Sequence, residues 1–146
     1  MRRCRRIGIG VLLAAWLLGA AACGSGEKPP VYAGAEERPY EIVAGSSVPY
    51  KVNEKIYKEK KKAFQFTYRD KENMYVAIGY GEQPTGGFGI RVLTVRETEE
   101  NILIETELVA PEAGEVVTPA PFSPYLVLKM AASEKSVRFI GTPAQE

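Results

Sequence analysis

The feature that most restricts this chain is an alternation of apolar and polar residues with period two, repeated through most of the sequence after residue 60. Phe64, Phe66 and Tyr68 fall on one side, and Gln65, Thr67 and Arg69 on the other. Met74, Val76, Ile78 and Tyr80 repeat the pattern after the polar break Arg69-Asp70-Lys71-Glu72-Asn73. A helix cannot keep such a stripe on one face, because its side chains come round about every 3.6 residues, whereas a strand does so at every second residue. The two runs therefore predict a hairpin. A β-branched run over 90–95 and the alternating Ile102, Ile104, Thr106 and Leu108 flank a second polar turn at Glu97-Thr98-Glu99-Glu100-Asn101. Residues 125–130 and 137–140 supply two further short strands, and 40–43 another.

One stretch departs from this period. Val48, Val52 and Ile56 recur every four residues among Lys and Glu, which predicts a short amphipathic helix packed on a sheet. Ser47 is the expected cap, with Pro49 in the first turn, and residues 58–62 form a basic exit suited to a helix C-terminus. The expected fold is mainly β: a small antiparallel β-sheet or sandwich domain over 40–146 with one short amphipathic helix.

The N-terminus follows different rules. Arg2, Arg3, Arg5 and Arg6 precede an apolar run over 7–18 and the small residues Gly19-Ala20-Ala21-Ala22, then Cys23. A basic start, a short apolar core and a small-residue exit make residues 1–22 a secretory signal peptide, with a core too short to span a bilayer. The cysteine after the small residues resembles a bacterial lipobox, with Ala20 where a Leu is usual. Cys23 is then the lipid attachment site. The only other cysteine, Cys4, lies within the signal, so Cys23 has no disulfide partner in the mature chain, and thioether acylation removes its free thiol. Residues 23–39, rich in Gly, Pro and charge, read as a lipidated flexible tether. These readings place the domain outside the cytoplasm, lipid-anchored to the outer face of the cell membrane.

Composition limits the chemistry. The chain has no histidine, and Asp70 is its only aspartate, so most hydrolase constellations and transition-metal sites cannot be assembled. No catalytic residue, cofactor or metal is expected. Without residues 1–22, which carry four Arg and no acid, the balance is 15 basic against 18 acidic, or −3, which gives no reason to expect nucleic acid. Charge is segregated: residues 51–71 hold eight basic and three acidic residues, and 97–115 hold seven acids and no base.

The most distinctive segment is Gly81-Glu82-Gln83-Pro84-Thr85-Gly86-Gly87-Phe88-Gly89, where four glycines and a proline interrupt two strands. It lacks the Lys and Ser/Thr of a phosphate loop. A proline-rich loop spans 111–124, with Phe122 and Tyr125 as candidate anchors of a recognition surface or, alternatively, as parts of a rigid cross-sheet connection.

The order V-x-I-G-Y-G, P-T-G-G-F-G-I, a V-x-x-V strand, an I-x-I strand, a proline-rich loop, S-P-Y-L-V-L-K and a closing V-R-F resembles the C-terminal domain of the protease complex subunit PrcB family. The resemblance covers roughly residues 75–139. Its P-T-G-G-[YF] hallmark is met by Pro84, Thr85, Gly86, Gly87 and Phe88, and a second stretch by Pro124, Tyr125 and Lys129. It implies a lipoprotein that associates with and stabilises a surface or secreted protease complex without cleaving peptides itself. The expected partner-binding region is then Pro84, Thr85, Gly86, Gly87 and Phe88 with Phe122 and Tyr125, because binding is commonly built on loops at one end of a sheet. The alternative is a lipoprotein that binds a small ligand or cell-wall polymer through some of its eight tyrosines.

Overall fold

The computed structural model describes residues 31–141. The expected signal peptide 1–22, the expected lipid site Cys23 and the first part of the expected tether, 23–30, lie outside the described residues. Eight strands and one helix follow in order: β1 (Glu36–Glu37), β2 (Glu41–Val43), α1 (Tyr50–Glu59), β3 (Ala63–Arg69), β4 (Asn73–Tyr80), β5 (Gly89–Glu97), β6 (Asn101–Val109), β7 (Tyr125–Ala131) and β8 (Ser136–Ile140). They form two four-stranded sheets, ordered β1-β5-β6-β8 and β2-β7-β4-β3. The expected β-rich class with a single amphipathic helix is the one observed.

Local chemistry makes the two hairpins. Asp70 Oδ1 accepts from the backbone N–H of Glu72 (2.9 Å) and Asn73 (2.7 Å), which closes the β3–β4 turn. Thr98 does the same for β5–β6, its Oγ1 accepting from Asn101 N–H at 3.0 Å. Each side chain satisfies turn amides that the ladder leaves open.

The core is divided by the second sheet. Met74, Val76 and Ile78 of β4 and Leu126, Leu128 and Met130 of β7 meet Val95, Ile102 and Ile104 of the first sheet, all buried. On the opposite face of β4, Tyr75 and Ala77 join Phe64, Val127 and the helix residues Val52 and Ile56 in a second cluster. β4 is thus buried on both sides, and its interior reads as a continuous buried run from Met74 to Gly79. Gly79 is part of that packing. A Cβ there would lie 2.2 Å from Phe64 Cε1, so its missing side chain is the space the Phe64 ring occupies.

Two expectations need correction and one is refined. First, α1 is capped by Pro49, whose carbonyl accepts from Val52 (2.9 Å) and Asn53 (3.1 Å), and Ser47 ends a short 3₁₀ turn instead. The cause is the proline: the residue before it, Val48, is held extended at φ −98° and ψ 129°, so no helix can run through from Ser47. Second, the mainly antiparallel arrangement that was expected is observed with one parallel pair in it. β8 pairs with β6 in parallel, Ile102 opposite Val137 and Ile104 opposite Phe139.

Third, the end of the expected flexible tether, residues 31–39, is docked on the domain. Glu36 pairs with Glu97 and Glu37 with Arg96. The Arg38 guanidinium donates to the Glu97 carboxylate and, at 2.7 Å, to the Ala131 carbonyl of β7, stitching the two sheets together. Tyr32 donates its hydroxyl to Glu105, with the Arg96 guanidinium 5.6 Å from its ring. Charge and proline made this segment look unstructured, yet Arg38 and Tyr32 have specific partners on β5 and β6.

Candidate functional site

The V-x-I-G-Y-G strand end, β4, delivers the chain into the glycine-rich loop 81–88. Tyr80 anchors it: its hydroxyl donates to the Thr106 carbonyl at 2.8 Å and lies 3.0 Å from Thr106 Oγ1, tying the second sheet to the first. Burial pushes the Tyr80 phenol above its ordinary pKa. Thr106 is the buried polar residue on the inner face of β6 and finds its partner in Tyr80. Gly81 then turns with φ +77°, a region open to glycine at little cost, against the backbone of Lys62 and Ala63.

The glycine-rich and proline-rich loops form one unit. Gln83 and Phe122 exchange backbone hydrogen bonds of 2.7 and 3.0 Å, an isolated antiparallel bridge. Gly86 donates to the Thr118 carbonyl at 2.9 Å. Gly87, at φ +86°, sits so close that a Cβ would lie 2.6 Å from Val117 Cγ1 and 3.0 Å from Pro111 Cβ. The P-T-G-G-F glycines therefore allow residues 111–118 to lie directly on the loop, in space that larger residues would fill. The proline-rich segment is also the connection that carries the chain from β6 in one sheet to β7 in the other. The loop is therefore the cross-sheet connection that the sequence offered as one of two readings.

Of the residues singled out, Pro84, Gly87, Phe122 and Tyr125 are exposed, and Thr85, Gly86 and Phe88 are half-buried. Phe122 and Tyr125 each keep nearly half of their surface open. Tyr125 lies opposite Gly79 at the start of β7, and Tyr80 N–H donates to Pro124 O at 3.3 Å, which brings Tyr125 to the same end of the sandwich. Sequence reasoning missed Gln83, whose Nε2 also donates to Tyr80 O at 3.2 Å, and the contacts of Val117 and Thr118. Only their neighbours' glycines hinted at a close approach.

The docked N-terminal segment lies at the other end. β1 pairs with the last residues of β5, whereas the glycine-rich loop leads into its first. The intervening strand is about 26 Å long at about 3.3 Å per residue. The strongest electrostatic cluster is also there: Lys135 donates to Glu97 Oε1 at 2.7 Å, and with Arg38 it holds the Glu97 carboxyl below the usual carboxylate range. Among the described residues no group of His, Cys, Asp and Glu has the arrangement of a metal site, and no helix is long and apolar enough to cross a membrane. The tyrosines do not share one face: Tyr75 is buried, Tyr80 is bonded to Thr106, and Tyr68 leans on Tyr75 with centroids 6.3 Å apart.

Residues 74–131 match the family model of the PrcB C-terminal domain, from the start of β4 to the end of β7. The match contains both loops and stops before β8, short of the 75–139 read from the sequence. No significant match is found among curated proteins or among solved structures.

Proposed function

We propose, from the match of residues 74–131 to the PrcB C-terminal domain and the joined loops within it, that this protein is a non-catalytic, membrane-tethered binding module. In this reading it is an accessory subunit that stabilises a surface or secreted protease complex. Residues 1–22 direct export, Cys23 carries the lipid, and the domain stands on the outer face of the cell membrane. The observation that carries the reading is the loop pair. Two segments are locked by the Gln83–Phe122 bridge and the Gly86–Thr118 bond, so a partner meets a preorganised surface carrying exposed Pro84, Phe122 and Tyr125. Preorganisation lowers the entropic cost of association, and half-exposed aromatic side chains are frequent anchors of interfaces. The docking of 36–38 at the far end of β5 supports an orientation with these loops directed away from the lipid.

The test is crosslinking of the full-length lipoprotein in living cells, followed by solubilisation and identification of what it retains. A protease recovered in near-stoichiometric amount, and lost in a Phe122→Ser/Tyr125→Ser variant that still folds, is the expected result. Recovery of the same partners by that variant overturns the assignment to this surface, and recovery of lipid and wall material alone overturns the accessory-subunit reading. A wall-polymer reading has less support, because the tyrosines it would need are dispersed between core and surface.

A further inference from the structure

We infer that the partner-binding surface continues from the loop unit onto the exit of α1, where Lys60, Lys61 and Lys62 meet an acidic patch on the partner protein. The inference rests on the loop unit being the partner-binding surface, as proposed above. The fold holds these three residues through their backbone. Lys60 N–H donates to Ile56 O at 2.8 Å and Lys62 N–H to Glu59 O at 2.9 Å, which closes the helix, and Lys61 O accepts from Glu82 N–H at 3.1 Å. A Cβ on Gly81 would lie 3.1 Å from Ala63 N and 3.2 Å from the Lys62 carbonyl carbon, so the helix exit and the glycine-rich loop pack backbone to backbone. Nothing in that packing calls for lysine side chains.

Their charge is left unanswered within the domain. Glu54 and Glu59, the two acids of α1, are paired with Lys58 at 2.7 Å and with Lys55 at 3.9 Å. Lys58 also supplies the positive charge that suits the last turn of the helix. Lys60, Lys61 and Lys62 make no ion pair with the described residues. Lys61 and Lys62 are exposed, and Lys60 Nζ lies 4.8 Å from the ring centroid of Tyr57, itself 75% exposed. Three adjacent like charges repel one another, and an acidic surface relieves that repulsion on docking. Position favours a protein over lipid head groups. The chain enters through β1, beside Arg96 and Glu97 at one end of β5, whereas Lys61 and Lys62 abut Gly81 and Glu82 at the loop end. In the orientation proposed above they point away from the lipid, on the side where a partner meets Phe122 and Tyr125.

The test is a water-soluble carbodiimide applied to cells carrying the full-length lipoprotein, because it joins an amine to a carboxylate only where the two touch. Residues 60–62 should be recovered in amide bonds to Asp or Glu side chains of the protein that the wild type retains and the Phe122→Ser/Tyr125→Ser variant loses. A Lys60→Glu/Lys61→Glu/Lys62→Glu variant should retain about tenfold less of that protein, and the corresponding triple arginine variant the wild-type amount. An unchanged urea midpoint shows that the glutamate variant folds. Equal retention by the glutamate variant overturns this inference and leaves the loop-unit reading standing. Links from 60–62 only to acids of this chain, or only to lipid phosphate, overturn it as well. Retention of no protein by the wild type, or of the same protein by the Phe122→Ser/Tyr125→Ser variant, overturns both.

Discussion

Replacing Gly79 with alanine should destabilise the domain through one specific collision, and a double-mutant cycle can isolate it. Gly79 lies in a strand and is not among the positive-φ glycines, so alanine meets no backbone strain there. The added methyl would instead lie 2.2, 2.7 and 2.8 Å from Phe64 Cε1, Cζ and Cδ1, against about 3.5–4.0 Å for an ordinary carbon contact. The ring has little room to retreat. Phe64 is 3% exposed, clusters with Val52 and Ile56 of α1, and stands 5.7 Å from the Phe66 ring. Overpacking of this kind costs about 1–3 kcal/mol, and the lower chain entropy of alanine returns about 0.5–1 kcal/mol. A contact as short as 2.2 Å puts the cost at the top of that range, so the net loss should be about 2 kcal/mol, or about 8 °C in Tm for a domain near this size. Phe64→Leu alone should cost about 1–1.5 kcal/mol and remove the ring atoms that collide. Gly79→Ala in that background should therefore cost less than about 0.5 kcal/mol. Urea denaturation at unchanged m-value gives all four corners of the cycle. Losses that simply add, within about 0.5 kcal/mol, would refute the account and leave Gly79 without a packing reason.

Two further outcomes follow from the geometry. Tyr80→Phe should cost about 1–3 kcal/mol by leaving buried Thr106 Oγ1 without its partner, and pairing it with Thr106→Val should restore part of the loss; both are measured by denaturant unfolding. Acid should undock the N-terminal segment. The Glu97 carboxyl is held low in the folded state by Lys135 and Arg38, so its contribution is complete above the ordinary carboxylate range and is lost as pH falls through the lowered value. Amide protection at Glu36–Glu37 should therefore drop below about pH 4, and Glu97→Gln should abolish that pH dependence.

The function of the family-like residues is clearer from packing than from their sequence. Gly79 and Tyr80 of V-x-I-G-Y-G serve the Phe64 pocket and the link to Thr106, and Gly86 and Gly87 admit the proline-rich loop. The motif thus reports a way of joining two sheets, and Pro84, Phe122 and Tyr125 stay exposed beside that junction.

What the sequence determined by itself was local. Period-two runs marked both hairpins, Asp70 and the turn around Thr98 closed them, and Val52 and Ile56 marked a helix face, because each depends on neighbours within a few residues. The tertiary structure decided the rest. Alternation shows which side chains share a face but not which strand lies alongside, so the division into two sheets and the parallel β6–β8 pair were not legible. A register shift between Val92 and Thr94 was hidden in a run apolar on both sides. Residues 31–39 carry a loop's composition and became ordered only because Glu97, Glu105 and the Ala131 carbonyl, 59 to 93 residues away in sequence, meet Arg38 and Tyr32 in the fold. Partners so distant leave no periodic mark on the segment they hold.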